Sequence, residues 1–213
     1  MSKNIMILLG IVLLFSAGAA QASDLAEKIQ TRYEGIESFQ AGFTQILTNS
    51  ATGEQEERSG QVSFQKPLLV RWEARSPQEE ILVINDDVVW NYFPADQEVY
   101  RYQTDEVLTS RTMIRFISGQ AELTREFEVE NQGREHGLDK IKLVPVEPDA
   151  NLVLAYIWAD EEGLMQRVLL VDFFGNGNEL RLENIDLDPE FEEGFFEFTP
   201  PEDAQIIEED NES

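Results

Sequence analysis

The chain contains no cysteine, which removes disulfides, thiolate metal ligands and cysteine nucleophiles from consideration. Histidine occurs once, as His136 in Gly133-Arg134-Glu135-His136-Gly137, which reads as an exposed hairpin tip. A serine triad needs a histidine oriented by a carboxylate on a preset turn, and no nucleophile-elbow sequence is present. Glycine-rich phosphate loops, internal repeats and low-complexity segments are also missing. Basic residues are scarce, 16 Lys and Arg against 42 Asp and Glu, for a net charge of -26. No basic stripe exists to displace counterions from nucleic acid, and the charge opposes rest on an anionic bilayer. The many carboxylates fall where turns and solvated surface are expected, as in Asp86-Asp87, Glu54 to Glu57, and Asp186 with Asp188. The glycine and closing glutamate of a calcium loop are lacking. Neither catalysis nor a metal or cofactor is expected.

The longest apolar run is short and lies at the start. Lys3 supplies a basic n-region, residues 5–15 an apolar stretch, and Ala20-Gln21-Ala22 a small-x-small cleavage site. Residues 1–22 are expected to be a cleaved signal peptide, the run being too short and wrongly flanked for a membrane-spanning helix. No cysteine follows that site to carry a lipid. An exported, soluble single domain over residues 23–207 is expected, with a disordered acidic tail over 208–213. Loss of Lys3 leaves 15 basic residues against 42 acidic, a net charge of -27.

Residues 60–72 organise the remainder. Val62 and Phe64 alternate before Lys66-Pro67, and Leu68, Val70 and Trp72 alternate after it, so two short strands meet at that corner. Pro67 cannot donate to a ladder and belongs at a strand start or bulge. One apolar face therefore runs through the corner, with the cation Lys66 at its edge. Ahead of it, Ser23 and Asp24 read as the N-cap of a helix to about Ser38, with Leu25, Ile29, Tyr33 and Ile36 as its apolar stripe.

Strands are expected over residues 39–46, 81–84, 88–93 and 99–102, then over 127–131, 141–146, 152–159, 165–174 and 178–185. Gly175-Asn176-Gly177 is a strong hairpin signal. Regular short strands separated by turns mean an antiparallel sheet or barrel and not alternating β-α units. The pattern breaks over residues 105–119, where Asp105 and Glu106 precede Val107, Leu108, Met113, Ile114, Phe116 and Ile117. That segment reads as a short helix or pair of helical turns with an apolar face, and its Arg111 and Arg115 as solvated charges. The aromatic residues Trp72, Trp90, Tyr92 and Trp158 lie on strands among apolar neighbours.

These residues together resemble the LolA family of periplasmic lipoprotein carriers. The resemblance runs in the family's order through Ile36 to Phe39, Ala41 to Gln45, Gly60, Lys66-Pro67 with Arg71-Trp72, Pro77, Ile81 to Val83, Trp90 to Pro94, and Phe196 to Pro201. It implies a mainly β (α+β) fold, a half-open antiparallel β-barrel with a helical lid over an apolar cavity. The function implied is a monomeric periplasmic chaperone that binds the acyl chains of lipoproteins. Its partners would be an inner-membrane ABC-type lipoprotein-release complex and an outer-membrane lipoprotein receptor. A lipid-binding or lipoprotein-sensing protein of the same fold is the alternative.

Family members usually carry an arginine where Lys66 stands, and it holds the lid by hydrogen bonds to lid backbone. Lysine keeps the charge but not the rigid fork of donors. The resemblance thus makes Lys66 the latch of a lid over residues 105–119. The cavity beneath would be lined by Val70, Trp72, Trp90, Tyr92, Met113, Ile114, Phe116 and Ile117, on the even-numbered alternation of the strands. Strong acidity suits solubility in general, in a salty environment for example, and equally a shuttle that must adhere to neither membrane.

Overall fold

The computed structural model of the chain describes residues 15–86, 88–104 and 112–208. Alternating apolar residues in long runs, joined by tight turns, give one sheet of 12 strands. The strands are β1 (Ser38–Thr48), β2 (Gln55–Gln65), β3 (Leu69–Ser76), β4 (Glu80–Ile84), β5 (Val88–Phe93) and β6 (Glu98–Gln103). After two short helices among the described residues come β7 (Phe127–Glu135), β8 (Leu138–Pro145), β9 (Leu154–Ala159), β10 (Met165–Val171), β11 (Gly177–Leu187) and β12 (Gln205–Glu208). The order across the sheet is β12-β6-β5-β4-β3-β2-β1-β11-β10-β9-β8-β7. Every neighbour pair is antiparallel except β12 with β6, which is parallel. The sheet curls into a half-open barrel of the kind expected.

At the centre, β1 pairs with β2 on one side and β11 on the other. Phe39, Ala41 and Phe43 of β1 are buried with Val62 and Phe64 of β2, so the apolar alternation faces one core. Gly60 sits at a register shift between β2 and β3. A Cβ there would lie 1.8 Å from the Glu73 carbonyl oxygen, so the two backbones meet only because glycine has none.

The helix α1 (Phe15–Glu34) covers part of the concave face, burying Ala26, Ile29 and Tyr33. It is continuous through Ser23 and Asp24, so no cap forms at those residues as the sequence suggested. It also ends at Glu34 and not near Ser38, because the chain turns at Gly35 and is extended from Ser38. Between β6 and β7 lie α2 (Thr112–Ile117) and one helical turn, α3 (Leu123–Glu126). The strand expected from residue 127 begins there, directly after α3. Residues 105–111, including Val107, Leu108 and Arg111, lie outside the described residues. Arg115 is not merely solvated, since its Nη2 donates to both carboxylate oxygens of Glu126 at 2.9 Å.

The outer face carries a second layer. The C-terminal segment beyond β11 crosses β3 to β6 there and sets Phe198 against Trp90 and Tyr92, at ring distances of 6.0 and 5.7 Å. Arg71 lies over Phe195. The segment returns as β12, so Glu208, assigned to the tail on composition, ends a strand and pairs with Arg101 at 3.3 Å. Among the described residues, no helix is long and apolar enough to cross a membrane.

Candidate functional site

Strand register decides which side chains share the concave face. Trp72 pairs with Val62 and with Leu82, and Val70 pairs with Phe64 and Ile84, so these six stand on one side. On β5 the partners of Leu82 and Ile84 are Asn91 and Val89. Trp90 instead pairs with Val83, and Tyr92 with Ile81, on the opposite face. The expected placement of Trp90 and Tyr92 in the cavity is therefore corrected, and both lie under Phe198. The physical reason is the β4–β5 hairpin: residues 85–88 intervene between the paired Ile84 and Val89, and an even number of intervening residues exchanges even for odd positions. Asn91, now inward, is 7 % exposed, and its Oδ1 has no hydrogen-bond partner among the described residues.

The other expected lining residues come together. Val70, Trp72, Met113, Ile114, Phe116 and Ile117 belong to one buried cluster, with α2 laid against the concave face. Phe116 is 2 % exposed, and its ring is 5.7 Å from that of Phe127 on β7. Trp72 packs against Phe43 at 4.2 Å between ring centroids. This half of the face is closed by α1 and α2.

Beside α2 the face opens. A cleft of about 940 Å³ has an apolar inner wall of Trp72, Leu82, Met113, Ile114 and Leu170 and a polar mouth of Gln45, Arg58, Glu80 and Asn178. Gln45 Nε2 donates to Asn178 Oδ1 at 3.0 Å, across β1 and β11. Arg58 donates to Glu56 at 2.7 Å and to Glu80 at 3.1 Å, spanning β2 and β4. None of these mouth residues was read from the sequence, because alternation assigns polar side chains to solvent. The one available signal was phase: Gln45 shares its face with Phe43, two residues away.

Lys66 does not reach α2. Its Nζ donates to the Glu34 carbonyl oxygen at 2.7 Å and to Glu37 Oε1 at 3.1 Å. The corner is thereby tied to the C-terminus of α1, where a cation satisfies a carbonyl left free by the helix end. Among the described residues the lid-latch contact is absent, and the partner of Lys66 is α1. The expectation for Lys66→Ala changes accordingly. Stability should fall by about 1 kcal/mol, with apolar-dye binding to the empty protein unchanged. Dye fluorescence rising without a fall in the unfolding midpoint would return Lys66 to the lid.

His136 is exposed at the β7–β8 tip with φ 52. Among the described residues no group of three acids or histidines is arranged to hold a metal ion. The arrangement can bury something apolar against Trp72, Leu82, Met113 and Ile114 while presenting hydrogen-bonding groups at its entrance.

Comparison with known proteins bears on what that is. The family model described as outer membrane lipoprotein carrier protein LolA matches residues 34–199. The chain is 28% identical over 197 residues to the outer-membrane lipoprotein carrier protein of Bordetella avium, covering 92% of this chain and 93% of that protein. It is 24% identical over 199 residues to the protein of the same name in Azotobacter vinelandii, covering 92% and 94%. Among solved structures, the Mycobacterium tuberculosis lipoprotein LppX shares the fold, with a TM-score of 0.55 at 13% identity over 81% of this chain and 98% of that one.

Proposed function

The chain belongs to the LolA family, whose model spans residues 34–199, and we propose that it is a periplasmic carrier of acylated lipoproteins. It takes the acyl chains of lipoproteins released from the inner membrane into its concave face and delivers them to the outer membrane. An inner-membrane ABC-type release complex supplies the cargo, and an outer-membrane receptor accepts it. The observation that carries this reading is the cleft itself, apolar within, polar at its mouth, and continuous with a face that α2 closes.

The physics asks for such a device. Each methylene exposed to water costs about 0.8 kcal/mol, so one chain of about fourteen methylenes costs about 11 kcal/mol. No lipoprotein crosses an aqueous gap against that cost unaided. The carrier must also let go, so the cover over its cavity has to be displaceable. A six-residue helix, α2, answers that need better than a long one. Loading moves Met113 and Ile114 off the inner wall and replaces their contacts with those of the chain. No bond is made or broken, and no cofactor takes part.

The test is a release assay. Spheroplasts incubated with the purified protein should yield a soluble complex with a triacylated lipoprotein, and no such complex without it. An empty supernatant, with phospholipid found in the cleft by native mass spectrometry, would replace this role with lipid binding.

A further inference from the structure

The end of the sheet at which the cleft opens also carries the most exposed apolar pair described. Phe173 and Phe174, in the β10–β11 turn, are 71% and 76% exposed, with their rings edge to face at 5.7 Å. They adjoin Asp172, Asn176 and Gly177, all of which line the cleft. Val146, 59% exposed, stands in the neighbouring loop, whose Ala150 carbonyl accepts from the Phe173 N–H at 3.0 Å. Scattered surface phenylalanines need no account, but a paired, presented one at the rim of a cleft does.

The turn is held in shape. Asn176 donates to Asp172 from its backbone at 2.8 Å and from its side chain at 2.8 Å. From the β1–β2 turn, Ser50 N–H donates to Asn176 Oδ1 at 3.1 Å, and Ser50 Oγ donates to the Phe174 carbonyl. Burial works against the Asp172 charge, but hydrogen bonds from Asn176, Phe174 and Gly175 outweigh it and hold the carboxyl below its ordinary value. The clasp therefore persists through the neutral range and loosens only as pH falls through that lowered value. A turn backbone fixed in this way loses little freedom when the rings it presents are covered.

The charge around them is predominantly negative, and the Arg58 cation at the mouth is taken up by Glu56 and Glu80. The three rim segments, residues 49–57, 146–151 and 172–178, contain Glu54, Glu56, Glu57, Glu147, Asp149 and Asp172 and no lysine or arginine. An anionic bilayer is repelled by such a rim. Its complement is an apolar pocket bordered by cations.

We propose that the Phe173–Phe174 tip is a docking anchor for a protein partner that offers an apolar pocket ringed by lysine and arginine. Seated there, the tip turns the mouth of the cleft toward that partner. The proposal rests on the carrier reading, since the partner is then a protein that hands over or accepts the acyl chain. The rings supply the buried centre, and the acidic rim supplies orientation and a salt-sensitive association rate.

The double variant Phe173→Ser/Phe174→Ser alters only exposed positions that do not line the cleft. Its binding of an apolar dye should stay within about twofold of the parent, while lipoprotein release from spheroplasts falls at least about tenfold. Parent release should also fall between 50 and 500 mM sodium chloride. Undiminished release by the variant overturns the proposal. So does loss of dye binding in step with release, which would make the tip part of the cargo site. Flotation of the parent, but not the variant, with phosphatidylcholine vesicles would make it a membrane wedge instead. A photo-cross-linker at position 174 separates this proposal from the carrier reading. Adducts to peptides rich in lysine and arginine, absent when the cross-linker is at position 136, sustain docking even where no lipoprotein is released. Adducts to lipid alone overturn it.

Discussion

Replacing Gly60 with alanine should destabilise the protein by about 3 kcal/mol or more, a large share of the stability of a single domain. The new methyl would lie 1.8 Å from the Glu73 carbonyl oxygen, 2.8 Å from its carbon and 2.9 Å from the Ala74 Cα, all backbone atoms. None of them is the free end of a side chain, so β3 must move away from β2. That strand carries Val70 and Trp72, hence the loss should extend to cargo binding. Urea unfolding of Gly60→Ala beside Gly53→Ala provides the contrast. Gly53 has φ +73 but no atom within 4 Å of its would-be Cβ, so only the cost of the left-handed backbone, about 1 kcal/mol, is expected there. Equal midpoints for the two variants would mean that β2 and β3 are not in close backbone contact at Gly60.

Phe116→Ala should lower stability by about 3 kcal/mol, the usual scale for emptying a buried phenylalanine site. Phe116 is 2 % exposed and packs on Phe127, so α2 shares the core of β7 and is not merely laid over it. The cavity formed adjoins the wall of Met113 and Ile114, and binding of an apolar dye to the empty protein should rise. Both changes are needed. An unchanged unfolding midpoint with brighter dye would show that α2 opens by itself, outside the cooperative core.

The two substitutions probe opposite sides of one requirement. A carrier needs a rigid wall against which a chain can be sorted from water, and a cover that yields. Gly60 belongs to the wall, where close backbone approach holds β2 against β3 at their register shift. Phe116 belongs to the cover, whose short helix closes this part of the face and, on the carrier reading, must yield to the chain.

Most strands could be read from local pattern. Val88 to Phe93 was bounded correctly by its alternation, and the turn at Gly175-Asn176-Gly177 by its glycines. The apolar face through Lys66-Pro67 was legible because Val62, Phe64, Leu68, Val70 and Trp72 keep their phase across the corner. The residues of α2 were legible as a clustered apolar segment that breaks the strand rhythm. The strand β12 was not, since four residues of mixed character owe their conformation to the edge of β6. The inner wall was read in part: Trp72, Met113 and Ile114 line it, Val70 lies in the buried cluster instead, and Trp90 and Tyr92 belong to the other face.

What sequence alone determined is the mainly β architecture and the lack of any cysteine chemistry, because alternation and residue inventory are local properties. It also carried the family, through an ordered set of short fragments. What only tertiary structure decided is which residues meet. Parity through a hairpin depends on the pairing register and not on residue type, so Asn91 turned inward where Trp90 was expected. The partner of Lys66 depended on where α1 ends, and the polar mouth on β1 and β2 running past the helices that close the rest of the face. Those are consequences of how far elements extend and what covers them, and no single stretch of chain contains them.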